Sequence, residues 1–257
     1  MITSTSNSRV QWIRSLQRRR RARQQEGAFV IEGTRLVEEA FRAGVSPRLI
    51  VHGPRLDQRT AQLVDGLARR GAPMLLVSDH VLAACASTET PQGLLAVLSF
   101  PEVPVPVQPT LALIADGLAD PGNLGTLLRT ALAAGVEAVF LSSGTVDAYN
   151  PKVVRAGMGA HFRLPIVYEP PEMLVRRFSG IPVWLAEPRG GIRYDRLDGR
   201  RPLALVIGGE ARGPAEIWRR SAAGSISIPA AGDVESLNAA VAAAVILFEI
   251  RRQRGTA

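Results

Sequence analysis

The side chains of this chain that could do chemistry gather in three short segments of its second half. They are Leu118-Ala-Asp-Pro-Gly-Asn-Leu-Gly-Thr-Leu-Leu-Arg129, Val206-Ile-Gly-Gly-Glu-Ala-Arg-Gly-Pro214 and Ile226-Ser-Ile-Pro-Ala-Ala-Gly-Asp-Val-Glu-Ser-Leu-Asn238. In the first, Asn123 stands where a helix N-cap belongs, and Arg129 falls about one to two turns further into that helix. A guanidinium stays protonated, so Arg129 suits holding a phosphate or steadying a developing oxyanion better than it suits removing a proton. In the second, Gly208 ends an apolar run, and a backbone without a side chain there lets a ligand approach closely, although a tight turn closed by Pro214 reads equally well. Glu210 adds a carboxylate, and the Gly-x-Gly-x-x-Gly spacing of a dinucleotide fingerprint is absent. In the third, Ser236 could cap the apolar helix expected at 239–250, a role that leaves Asn238 unexplained.

Other chemistries find little support. Cys85 is the single cysteine, which excludes a disulfide framework and a cysteine-based metal site. His52, His80 and His161 are scattered without ligand spacing, so no metal is expected.

Loops need strands to hold them. Apolar runs at 111–115, 138–141, 164–168, 183–186 and 203–207 alternate with helical or loop segments, the pattern of a parallel sheet covered on both faces. Upstream, a basic helix at 10–25, a strand end at 29–33, a helix at 36–41, strands at 49–51 and 74–77 and a helix at 59–69 give a smaller α/β domain. Between them, 99–110 carries four prolines in twelve residues, which disfavours helix and central strand. The expected organisation is therefore 1–98, a Pro-rich linker at 99–110, and 111–257.

The net charge of +8 and a pI near 10.9 suit a polyanionic partner. Residues 1–35 hold eight Arg against two Glu, so the excess is local, and Lys152 is the only lysine. Arginine forks bind phosphates bidentately. The N-terminus lacks the apolar stretch of a secretory signal, and the run at 239–250 is shorter than the ~20 residues a bilayer crossing needs, so a cytoplasmic protein without membrane partners is expected.

Taken together, in this order and at these separations, the three segments resemble the signature of the SpoU (TrmH-like) branch of the SPOUT superfamily, over roughly residues 110–252. The resemblance implies a C-terminal SPOUT α/β-knot, a trefoil-knotted, mostly parallel sheet, preceded by a smaller α/β RNA-binding domain. It implies S-adenosylmethionine-dependent 2′-O-methylation of an RNA ribose by a homodimer whose C-terminal helix packs across the interface, and no metal. Carried over to this sequence, Asn123, Gly125 and Arg129 match the first motif, with Arg129 in the catalytic role, and Glu210 matches the family's acidic residue. Gly208 would touch the donor through its main chain, Ile228 and Leu237 would frame the adenine, and Ser236 and Asn238 would turn polar groups toward the reaction centre. Ala230 stands where many relatives have Met, which weakens one apolar contact.

The first domain, through Arg9 to Leu16, the basic run 18–23 and Phe29 to Ala40, resembles the substrate-binding domain of ribosomal RNA members. Large-subunit (23S) ribosomal RNA is the favoured substrate, with Arg9, Arg14, Arg18, Arg19, Arg20, Arg21 and Arg23 as phosphate contacts and Trp12 and Phe29 as either base-stacking or core aromatics. A tRNA 2′-O-methyltransferase and a non-catalytic RNA-binding or ribosome-assembly protein are the alternatives.

Overall fold

A computed structural model describes residues 1–232 and 235–255; Asp233 and Val234, within the third segment, lie outside the described residues. The first stretch of chain forms α1 (Ser8–Arg18), α2 (Arg20–Glu26), β1 (Ala28–Glu32), α3 (Thr34–Arg42), β2 (Pro47–His52), α4 (Gln58–Arg69), β3 (Met74–Leu76), α5 (Asp79–Cys85) and β4 (Leu94–Ser99). The remainder forms β5 (Leu111–Asp116), α6 (Pro121–Ala134), β6 (Ala138–Leu141), α7 (Pro151–Gly157), β7 (Ile166–Tyr168), α8 (Pro171–Arg177), β8 (Val183–Ala186), β9 (Ile192–Arg193), β10 (Leu203–Gly208), α9 (Glu216–Ser221), β11 (Gly224–Ser227) and α10 (Ala239–Gln253). Two compact units result: Met1–Glu102 with Tyr149–Phe162, and Val103–Ala148 with Arg163–Ala257.

The first unit is built on a four-stranded sheet of order β1-β4-β2-β3, in which β4 runs antiparallel to both β1 and β2 while β3 is parallel to β2. Helix α1 is amphipathic, and its Val10, Ile13 and Leu16, spaced by three, bury against Val30, Val51 and Val97. Cys85 lies in this core, and burial pushes its thiol up to about 11, so it is an inert packing group.

The basic stretch 10–25 is not one helix. It breaks at Arg19, whose backbone is extended (φ −120°, ψ 117°). Arg23, only 3% exposed, bridges the break: its Nη1 donates to the carbonyls of Leu16 at 2.7 Å and Gln17 at 3.3 Å. Those are carbonyls that the end of α1 leaves without helical partners. Arg23 thus braces two helices from inside, a different position from the phosphate-facing one expected of it. Trp12 packs on the core, and Phe29 is fully buried in an aromatic group in which Phe100 and Tyr149 stack at 3.9 Å, so both aromatics take the core alternative.

The second unit is a seven-stranded sheet of order β7-β6-β5-β10-β8-β11-β9, with every pairing parallel. The two central strands, β5 and β10, are apolar throughout and buried on both faces except at the final Gly208 and the buried Asp116. On one face Ile114, Phe140, Leu174, Val206 and Trp218 form a core; α10 packs on α6 elsewhere in the unit. From β5 the chain moves outward to β6, and it returns to lay β10 on the other side of β5. The carboxyl ends of β5 and β10 therefore flank a topological switch point, where open parallel sheets form their clefts. No helix among the described residues is long and apolar enough to cross a membrane.

Arg254 closes this unit. Its guanidinium donates to the carbonyls of Gly199 (2.7 Å), Thr110 (2.9 Å) and Arg201 (3.1 Å) and to Thr110 Oγ1 (3.0 Å), joining the end of α10 to the entry of β5. Arg254→Ala orphans these acceptors together and is expected to cost about 2 kcal/mol, a fall in Tm of roughly 4–8 °C by calorimetry. An unchanged Tm would show that solvent replaces the arginine at no cost.

Candidate functional site

The site starts from Asp116, the last residue of β5. Its carboxylate is 5% exposed and accepts from the Ala215 amide at 2.7 Å and from the Ser142 hydroxyl, while its own carbonyl accepts from the Gly209 amide at 2.8 Å. One side chain thereby ties together the ends of β5 and β6 and the loop after β10. Sequence reasoning does not single out Asp116; its only signal is a carboxylate closing an otherwise apolar strand.

Helix α6 is capped by Asp120, which accepts from the Asn123 amide at 2.7 Å, with Pro121 at the first helical position. Asn123 is therefore not the cap, and its side chain is free to act elsewhere. Its Nδ2 donates to Glu210 Oε1 at 2.6 Å and its Oδ1 accepts from Asn238 Nδ2 at 2.8 Å. The cap of α10 is Asn238 rather than Ser236: Asn238 Oδ1 accepts from the amides of Ala240 (3.0 Å) and Val241 (3.2 Å). Capping fixes the Asn238 rotamer, and that orientation sends its amide group to Asn123. A directed chain results, from the start of α10 through Asn123 to the Glu210 carboxylate.

The loop after β10 is tight. A Cβ at Gly208 would stand 2.2 Å from the Pro214 nitrogen, and one at Gly209 would stand 2.4 Å from the Gly117 carbonyl oxygen. Gly213, at φ +65°, donates its amide to the Gly209 carbonyl at 2.9 Å. Both readings of Gly208 thus meet here: the turn closes on Pro214, and the same glycine lines a cleft.

That cleft, of about 300 Å³, lies at the carboxyl ends of β8, β10 and β11. Its walls include Ile207, Gly208, Ile226, Ile228, Leu237 and Ile246, with Glu210, Ser236, Asn238, Glu187 and Arg219 as polar groups. All three residues expected to hold a cofactor, Gly208, Ile228 and Leu237, line it, as do Glu210, Ser236 and Asn238. Asn123 reaches it through its two side-chain partners. Apolar walls, a bare glycine turn and a few converging polar groups fit a nucleoside-bearing ligand such as S-adenosylmethionine.

Arg129 is not brought to this group. It is exposed on α6, does not line the cleft, and its side chain makes no hydrogen bond or ion pair with a described residue. It stands six positions after Asn123, which turns the two onto different helix faces. In the first unit Arg9, Arg18, Arg19, Arg20 and Arg21 are exposed, Arg14 is half-buried and Arg23 faces inward. Among the described residues no cluster of three or more His, Cys, Asp or Glu side chains could hold a metal.

Residues 110–248 match the SpoU rRNA Methylase family, and residues 7–96 match the MRM3-like substrate binding domain. The chain is 32% identical to the 23S rRNA (guanosine(2553)-2′-O)-methyltransferase RlmP of Bacillus subtilis, over 97% of this chain and 98% of the relative. It is 31% identical to the 23S rRNA (uridine(2479)-2′-O)-methyltransferase of Streptomyces viridochromogenes, over 98% and 92%. The crystal structure of an AdoMet-bound rRNA methyltransferase from Sinorhizobium meliloti superposes with a TM-score of 0.86 at 30% identity, covering 98% of this chain and 97% of that one. With both segments matched in order, and with a cleft lined by the second and third signature segments and joined to the first through Asn123, this chain belongs to the SpoU rRNA methylase family.

Proposed function

We propose that the protein transfers a methyl group from S-adenosylmethionine to the 2′-hydroxyl of a ribose in RNA, with 23S ribosomal RNA as the substrate. The carrying observation is the Asn238–Asn123–Glu210 chain at the edge of a cleft whose apolar walls suit an adenosine. Two relatives named as 23S rRNA 2′-O-methyltransferases and a substrate-binding match at 7–96 support the ribosomal substrate over tRNA.

The donor supplies an electrophilic sulfonium methyl, so the protein's work is alignment and charge management. Gly208, Ile228 and Leu237 hold the nucleoside by main chain and apolar contact. Ser236 and Asn238 orient polar groups toward the ribose oxygen, and Glu210, anchored by Asn123, fixes the loop that borders it. Arg129 holds the target phosphate and stabilises the oxygen as negative charge develops. Its exposed place on α6, away from the cleft of its own chain, supports that role being played toward a second copy of the chain. Val241 and Phe248, about half exposed on one face of α10, support a homodimer that covers this face and pairs the Arg129 of one subunit with the cleft of the other. The trefoil threading of the family and a cytoplasmic location belong to the same proposal.

Incubating the protein with donor labelled in the methyl group and with separated ribosomal and transfer RNAs, then mapping the labelled ribose, tests the reading. Label on tRNA alone overturns the substrate, and no label on any RNA leaves an RNA-binding protein.

Two further outcomes are expected. Arg129→Lys keeps the charge and removes the fork, so kcat under saturating donor should fall about 10²-fold; near-normal turnover would remove Arg129 from the reaction centre. Binding of RNA should weaken with salt, and neutralising Arg18 and Arg21 together should flatten the log–log slope by roughly 0.7 for each phosphate that is no longer neutralised. A slope identical to the parent's would take both arginines off the interface.

A further inference from the structure

The cleft carries charge that the methyl-transfer reading leaves unused. Among its described lining residues the one cation is Arg219 of α9, which forms an ion pair with Glu187, the residue following β8. Neither belongs to the hydrogen-bonded chain through Asn123. The Glu187 main chain is fixed to β11, its amide donating to the Ile226 carbonyl at 3.0 Å, and Arg219 Nη2 lies beside Gly213, whose missing side chain leaves room for it. The side chains are 18% and 42% exposed, so a solute entering the cleft can reach the pair. An ion pair this exposed contributes little to stability, and its position on a cavity wall calls for another role.

That role rests on the proposed methyl donor and on charge matching. The donor ends in an amino acid, with a carboxylate and an ammonium on one carbon. We propose that Glu187 and Arg219 form the subsite for this zwitterionic end: the Arg219 fork takes the carboxylate, and Glu187 accepts hydrogen bonds from the ammonium. A neutral pair of opposite charges meets a neutral pair of opposite charges, so one ion pair is exchanged for two and no charge is left uncompensated. The nucleoside end then lies against Ile226 and Ile228, and the cleft distinguishes a full-length donor from a truncated nucleoside.

The test compares S-adenosylhomocysteine, which keeps the amino-acid end, with 5′-methylthioadenosine, which lacks it, by titration calorimetry. Arg219→Gln and Glu187→Gln are each expected to weaken S-adenosylhomocysteine roughly tenfold to hundredfold while leaving 5′-methylthioadenosine within about twofold of the parent. Arg219→Lys should recover part of the affinity, because the charge remains without the fork. Equal weakening of both ligands in all three variants, or no weakening of either, overturns the subsite. A parent protein that binds neither ligand overturns the methyl-donor reading on which it rests, so the two failures are told apart.

Discussion

Asn123→Ala is expected to lower kcat by about 10²- to 10³-fold, the range seen when a preorganised polar group is removed from a reaction centre. Among the described residues Asn123 is the one side chain hydrogen-bonded to both Glu210 and Asn238, and it serves them by opposite ends of one amide, at 2.6 and 2.8 Å. Truncation frees the Glu210 carboxylate to swing with its loop. The fold should survive, because the α6 cap is Asp120 and the α10 cap bonds of Asn238 do not involve Asn123. An alanine variant with normal turnover would sink the idea that this chain of side chains organises the site.

Asn123→Asp probes the same link through pH. The new carboxylate would face Glu210, and two carboxylates in contact cannot both ionise easily, so the pair holds a shared proton to a higher pH than either would alone. With the proton present, a hydrogen bond like the native one persists. Activity of the aspartate variant should thus be highest on the acid side and fall as pH rises through the raised value. A pH profile parallel to the parent's would count against contact between positions 123 and 210.

Gly208→Ala should abolish measurable donor binding, with affinity lower by about 100-fold or more. The added methyl would meet backbone atoms on both sides, 2.2 Å from the Pro214 nitrogen and 2.3 Å from the Gly213 carbonyl carbon, and backbone cannot rotate aside as a side chain can. The turn must open, which moves Gly209 and Glu210 and breaks the hydrogen bond from the Gly209 amide to the Asp116 carbonyl. Overpacking of this kind costs about 1–3 kcal/mol, so the melting temperature should drop by several degrees while the chain still folds. Calorimetric titration with S-adenosylhomocysteine checks it; parent-like affinity would mean that the loop tolerates the methyl and that Gly208 is not a close-approach position.

Much of the second unit is legible from local pattern. The apolar runs at 138–141 and 183–186 are β6 and β8 residue for residue, and those at 111–115 and 203–207 fall one residue short of β5 and β10. Continuous apolar runs between helices can only be buried on both faces, which is why they read clearly. The first unit is less open. Its central strand β4 (Leu94–Ser99) goes unassigned along the chain although Leu94 to Leu98 is an apolar run like that of β10, and only its pairing with both β1 and β2 gives it its place. Strand β9 has two residues, too few to show a period, and β11, Gly-Ser-Ile-Ser, offers a single apolar side chain where β6 and β8 offer a continuous run.

Which loops carry the chemistry, and which residue types they offer, follow from local pattern, because strand burial and turn composition are properties of neighbouring residues. How those residues are used depends on packing between distant segments. Asp120 and Asn123 are both capable caps three residues apart; Pro121, suited to the first helical position, is the local signal for Asp120, and the side-chain partners that Asn123 then takes up lie in distant segments. The meeting of Asn123 with residues 87 and 115 positions away follows from the β5–β10 pairing, which sets Asp116 beside Gly208 and so brings their loops together. The same holds for Arg23, one more arginine in a basic run until two helices fold back and enclose it. It holds too for Tyr149–Phe162, which leave the second half of the chain to pack with the first unit. Hydrogen bonds and burial between distant segments exist only once the sheet has fixed their distance, and no reading along one chain supplies that distance.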